Sequence, residues 1–166
     1  MTKRRKSASA AGRKAHVVYS VEQSVGHQVR QTHRALQRAL ETHIRPYGIT
    51  LGMWYFLRVL WEEDGLNQRE LSARAGTAEP TTVTALHAME RRGLVVRVQN
   101  RDDRRKSNIF LTKPARALRN LLLPEARAVN QIATAGLPAA EVEALKRTLT
   151  RLRANLAARD RGATET

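Results

Sequence analysis

This sequence contains no cysteine. Disulfides, thiolate nucleophiles, thiol oxidation sensing and cysteine-ligated zinc are all excluded. No apolar run approaches the roughly 20 residues needed to span a bilayer. The N-terminus is basic but has no apolar stretch ahead of a small-residue cleavage site, so neither a membrane span nor a secretory signal is expected, and the cytoplasm is the expected location. Catalytic constellations are missing too: there is no Ser/His/Asp arrangement, no phosphate-cradling glycine loop and no pocket-like cluster of acids, so no catalytic residue and no enzyme is expected. The five histidines, His16, His27, His33, His43 and His87, lack tight ligand spacing, so neither a metal site nor a cofactor is expected. Aromatic residues are few, and four of the seven fall between Ile49 and Asp64.

Acidic residues are scarce relative to basic ones. Fifteen Asp and Glu stand against thirty Lys and Arg, leaving a net charge of +15. Such a surface attracts polyanions at long range, and nucleic acid is the expected partner. The 166 residues, 42% of them hydrophobic, suffice for one compact domain or two small lobes.

The stretch from Asn67 to Thr112 organises the rest. Asn67-Gln68-Arg69-Glu70 reads as a helix start, Asn67 capping and Glu70 reaching back to the cap's own N–H. Gly76 ends that short helix in a left-handed conformation. Glu79-Pro80 opens the next, since proline's missing N–H costs nothing in a first turn. Val83, Leu86, Met89 and Glu90 recur at helical spacing, leaving the opposite face free, and Gly93 stops the helix. Leu94-Val95-Val96 and Asn108 to Leu111 read as two short strands. The segment between them carries Arg97, Arg101, Arg104, Arg105 and Lys106 against Asp102 and Asp103. A helix with a free polar face beside a cationic hairpin suits two adjacent grooves of duplex DNA.

Around this unit, residues Met1 to Ala15 form a basic low-complexity tail with too little apolar surface to order itself. Val18 to Tyr47 reads as one long helix, with Val25, Val29, His33, Leu36 and Leu40 along one stripe, ended by Arg45-Pro46-Tyr47-Gly48. Ile49 to Asp64, capped by Thr50, is dense in bulk and must be contacted on several sides. Thr112 caps another helix, whose face comprises Leu118, Leu121, Leu122, Ala126, Val129 and Ile132. Pro124 is expected to kink or split it. A last helix from about Ala139 to Ala158 repeats Val142, Leu145, Leu149, Leu152 and Leu156 at heptad-like spacing. Three amphipathic helices outside one small reading head need cover, and a second copy of the chain is the natural cover.

These residues resemble the MarR (multiple antibiotic resistance regulator) family of winged-helix transcription factors. The similar segments are Ile49-Thr50 with Trp54 and Leu57, Leu66 to Leu71, Pro80 to Thr84 running on to Glu90-Arg91-Arg92-Gly93-Leu94-Val95, and Asp102-Asp103-Arg104-Arg105 with Leu111-Thr112. Met53, His87 and Pro114-Ala115 depart from the family pattern. The resemblance implies a mainly α fold with a small β-hairpin wing: a winged helix-turn-helix DNA-binding lobe plus a helical dimerisation lobe. It divides the chain into a disordered basic tail (1–16), a dimerisation helix (17–48), the DNA-binding region (49–112) and C-terminal dimerisation helices (113–160).

The implied DNA-binding residues are Gln68, Arg69, Pro80, Thr81, Thr82, Thr84, His87, Arg91, Asp103, Arg104 and Arg105. Thr81, Thr84 and His87 would face the major groove, Gln68 and Arg69 would hold phosphates, and Arg105, oriented by Asp103, would enter the minor groove. The implied function is a homodimeric, sequence-specific regulator, a repressor of a palindromic operator in double-stranded DNA. A small-molecule effector, an aromatic acid or its acyl-CoA thioester, would release it after meeting His33, Arg34, Trp54, Tyr55 and Arg58. The rival reading is an architectural, sequence-tolerant DNA-binding protein.

Overall fold

A computed structural model describes residues 20–100 and 107–164, with side chains to 159. The basic tail and the hairpin tip, including Asp103, Arg104 and Arg105, lie outside the described residues. The chain divides into two units, residues 1–34 and 35–166.

A 3-10 turn, Val21–Gln23, lies in the first unit and precedes helix α1, Val25–Ile44, whose residues from 35 on belong to the second. The long helix expected from Val18 is thus interrupted, because Ser24 takes an extended conformation between the two elements. The Gln28 side chain closes the entry by donating to the Glu22 carbonyl at 2.8 Å. Val21, Val25 and Val29 are exposed.

The second unit holds the core. A 3-10 turn at Arg45–Tyr47 ends in Gly48, whose φ of 70° only glycine adopts without strain. Thr50 caps α2, Leu51–Glu62, by accepting from the Met53 N–H at 3.3 Å. Met53, Trp54, Phe56, Leu57, Leu60 and Trp61 are all buried. These six span more than one face, so α2 is enclosed by helices and strands that follow it in the chain. Each large apolar side chain so buried contributes about 1.5–3 kcal/mol. Trp61 also satisfies its polar atom, its indole N–H donating to the Ala115 carbonyl at 3.0 Å.

Strand β1, Leu66–Asn67, leads into α3, Gln68–Ala75, and α4, Glu79–Arg91. Strands β2, Val95–Gln99, and β3, Ser107–Leu111, follow in antiparallel register, with Arg97 opposite Ile109. The sheet order is β1-β3-β2, with Leu66 opposite Ile109 on the other side. One carboxylate anchors it: Asp64 accepts from the N–H groups of Gly65 (3.1 Å) and Leu111 (2.8 Å) and from Arg116 (2.7 Å).

Thr112 caps α5, Lys113–Ala133, accepting from the Ala115 N–H at 3.3 Å. Pro124 does not split this helix. Buried Leu122 and Val129 lie on either side of it, and their packing holds both halves against the local loss of one hydrogen bond. Leu121 and Ile132 on the expected apolar face remain exposed. Helix α6 runs Ala139–Thr164, beyond the expected end near Ala158. Its stripe stays open in the single chain, with Val142, Leu149 and Leu152 half-buried and Leu145 and Leu156 exposed. No helix among the described residues is long and apolar enough to cross a membrane.

Candidate nucleic-acid interface

The start of α3 is the capping box expected from Asn67 and Glu70. The Asn67 side chain accepts from the Glu70 N–H, and the Glu70 carboxylate accepts from the Asn67 N–H, both at 3.0 Å. Gly76, at φ 64°, closes the helix. The short link to α4 is held from inside by hydroxyls. Thr82 is fully buried, and its Oγ1 accepts from Ser72 at 2.7 Å, lies 2.9 Å from Thr77 Oγ1 and donates to the Ala78 carbonyl at 3.3 Å. One donor and two acceptor positions are thereby filled, which is all a hydroxyl offers.

Thr82 points inward together with Leu86 and Met89 at helical spacing, so the opposite face of α4 points out. Pro80, Thr81, Thr84, His87 and Arg91 are exposed on α4. Thr84 gives its proton to the Pro80 carbonyl at 3.2 Å, leaving an acceptor oxygen and a methyl for contact. Thr82 itself has no exposed surface, so its place among the implied DNA-binding residues is corrected: packing against Ser72 and Thr77 makes it a spacer between the helices.

A polar chain links α3, β2 and α4. Arg97 Nε donates to Glu90 Oε1 at 2.8 Å and Arg97 Nη1 to Gln68 Oε1 at 3.4 Å, while His87 Nδ1 lies 3.4 Å from Glu90 Oε2. A cleft of about 750 Å³ opens here, lined by Asn67, Gln68, Arg69, Glu70, Glu79, Arg97 and Ser107. Gln68 is half-buried and Arg69 exposed. Neither Arg69 nor Arg91 forms an ion pair among the described residues. The sequence spacing of Glu90 with Val83, Leu86 and Met89 places it beside the packed face but does not signal Arg97 as its partner.

The residues expected to meet an effector fall in both units. His33 and Arg34 belong to the first unit and are exposed. In the second unit Trp54 is 5% exposed, within the core and edge-on to Trp61 at 5.8 Å between centroids. The Arg58 guanidinium lies 5.8 Å from the Trp54 ring centroid and pairs with Glu62 at 3.3 Å. Half-buried Tyr55 accepts from Gln37 at 3.3 Å. Trp54 is therefore covered by its neighbours rather than lining open space.

A cleft of about 300 Å³ lies elsewhere in this unit, lined by Thr42, His43, Pro46, Tyr47 and Glu125. The Glu125 carboxylate is 2.7 Å from His43 Nδ1 and accepts from the Tyr47 hydroxyl at 3.2 Å. The hydrogen bond to His43, and secondarily that from Tyr47, holds the Glu125 carboxyl below the usual carboxylate range; Glu125 in turn raises the Tyr47 phenol. Nothing in the sequence signals this cluster, in which Glu125 lies 82 positions from His43. Among the described residues no group of three or more His, Asp or Glu is placed to hold a metal.

Residues 49–107 match the family model described as MarR family. The chain is 34% identical over 85 residues to the HTH-type transcriptional regulator TtmR of Methylorubrum extorquens, covering 51% of this chain and 44% of that protein. It is 35% identical over 77 residues to the homoprotocatechuate degradative operon repressor of Escherichia coli, covering 46% and 52%. The chain thus spans about half the length of these curated relatives. Similarity to solved structures runs further. A MarR regulator from Methanosarcina mazei Go1 aligns with a TM-score of 0.75 at 27% identity, over 81% of this chain and 96% of that one. The same fold occurs in CouR of Rhodococcus jostii RHA1 bound to p-coumaroyl-CoA (TM-score 0.71, 24% identity, 81% and 94% covered). It occurs again in a MarR family regulator from Listeria monocytogenes complexed with 26mer DNA (TM-score 0.75, 22% identity, 81% and 90% covered). The capped α3, the Thr82-spaced α4, the three-stranded sheet and these likenesses lead to one conclusion: residues 49–107 match the MarR family, and the chain resembles its winged helix-turn-helix transcriptional regulators in fold.

Proposed function

We propose that this protein is a homodimeric, sequence-specific DNA-binding repressor that acts in the cytoplasm and is released by a small aromatic acid or its acyl-CoA thioester. The observation that carries the DNA reading is the outward row Thr81, Thr84, His87 and Arg91 on a helix whose opposite face is fixed by buried Thr82, Leu86 and Met89. Threonine and histidine can bond base edges, and a threonine methyl can meet thymine. Arg69 and Gln68 beside the start of α3 suit phosphates, and a net charge of +15 supplies the long-range attraction. Arg104 and Arg105, with Asp103, complete the set by their likeness to the family wing, entering the minor groove.

Two copies are required because α1, α5 and α6 carry exposed apolar residues such as Val25, Ile132 and Leu156. Two-fold pairing gives a palindromic operator with half-sites about one helical turn apart. The effector class rests on the aromatic acyl-CoA bound to CouR and on the aromatic catabolic operon named for the E. coli relative. On this chain Tyr55, Arg58, His33 and Arg34 are its candidate contacts, Trp54 acting from behind Arg58.

The test is selection of bound duplexes from a random pool, followed by gel shift with the selected site and by a thermal-shift screen of aromatic acids and their coenzyme A thioesters. A recovered palindrome that a hit compound displaces is the expected result. Equal competition by random DNA would instead favour an architectural binder.

A further inference from the structure

We propose that Glu90 is a specificity residue of the reading head: it holds Arg97 on the protein and keeps that cation from the phosphates of arbitrary duplex. The proposal rests on the DNA-binding reading above and deepens it.

Beyond the first-turn Glu79 and Pro80, the exposed side chains of α4 are Thr81, Thr84, His87 and Arg91, neutral or cationic. An acid among them opposes a polyanion. Its contribution to the fold does not account for its place, because a pair whose side chains are 29% and 27% exposed adds little to stability. Its geometry suggests another task. One carboxylate oxygen takes the Arg97 Nε at 2.8 Å, and the other faces His87 Nδ1 at 3.4 Å. The far side of the same guanidinium donates to Gln68 Oε1 at 3.4 Å, which leaves the Gln68 –NH2 donors for a phosphate. One acid thus fixes a cation on β2 and, through it, an amide at the start of α3.

The consequence is electrostatic. Binding to arbitrary duplex is made of phosphate contacts, each adding about 0.9 to the salt slope. Binding to a preferred site also draws on base edges. Withholding one cation therefore weakens arbitrary binding by a larger share than preferred binding, and the ratio between them rises.

The test compares wild type, Glu90→Gln, the double variant Glu90→Gln/Arg97→Gln, and Glu141→Gln, which removes the same charge from α6. Each full-length protein is titrated with the selected duplex and with random duplex of equal length over a series of salt concentrations. Melting curves verify folding. Glu90→Gln is expected to bind random duplex several-fold more tightly, with a salt slope steeper by about one unit, and to lose several-fold in sequence discrimination. The double variant should return to the wild-type slope, and Glu141→Gln should match wild type. An unchanged slope and ratio in Glu90→Gln would overturn the proposal. So would weaker binding to both duplexes without a steeper slope, the outcome of a merely structural strut. A wild-type protein with no preferred duplex would overturn the regulatory reading instead, while the slopes on random duplex would still decide the role of Glu90.

Discussion

The Ser72 hydroxyl on α3 donates to the Thr82 hydroxyl on α4 across 2.7 Å, with both residues buried. This contact, joined by Thr77, sets how the two helices of the reading head meet. Thr82→Val keeps the shape but removes the shared oxygen. The buried Ser72 hydroxyl would then lose its acceptor, at a cost of about 1–3 kcal/mol. Urea denaturation of Thr82→Val should show that loss with an unchanged m-value. Thr84→Val, on the exposed side, should leave stability nearly untouched and change DNA preference instead.

Glu125 ties α5 to the end of α1. Its carboxyl is held below the usual range, chiefly by His43. A depressed folded-state pKa gives stability that is present above the ordinary carboxylate pKa and is lost as pH falls through the lowered value. The melting-temperature gap between wild type and Glu125→Gln should therefore be widest near neutral pH and close as acid is added. A gap constant across that range would mean that the hydrogen bonds do not distinguish the ionised from the protonated form.

Leu145 and Leu156 are 50% and 67% exposed on α6. If a second copy covers them, Leu145→Glu combined with Leu156→Glu should convert dimers to monomers in sedimentation velocity. It should also weaken binding to a palindrome far more than binding to one half-site.

Arg105 lies outside the described residues, and its role rests on the family motif. Arg105→Ala should lower affinity for the preferred duplex by about 1–3 kcal/mol in gel shift. Unchanged affinity would mean that the hairpin does not touch DNA. Removing residues 1–15 should flatten the salt slope without altering the preferred sequence.

What could be read from the sequence was local. Asn67 with Glu70, Thr50, Thr112, Gly76 and Gly93 all act within a few positions of their targets, so helix starts and stops were legible. The core helix α2 was legible from bulk alone. Strand β1 was not, because two residues have no periodicity and its partner lies some forty positions away, at Asn108 and Ile109. The inward turn of Thr82 was hidden for a different reason. Threonine suits a groove or a buried hydroxyl cluster equally, and only the angle between α3 and α4 decides. The same holds for Trp54, whose ring could line a cavity until α2 is packed on every side. Glu90 and Arg97 required the β2 strand to curl beside α4 before their pairing could be seen.

Arg92, just past the end of α4, grips the Gly48 carbonyl and reaches Met53 Sδ at 3.8 Å. A side chain at Gly48 would collide with that guanidinium, besides straining a φ of 70°. The corner between α1 and α2 is thereby bolted to the tail of α4. A displacement of that corner would thus reach the end of α4 through a polar clasp as well as through the buried Ile44.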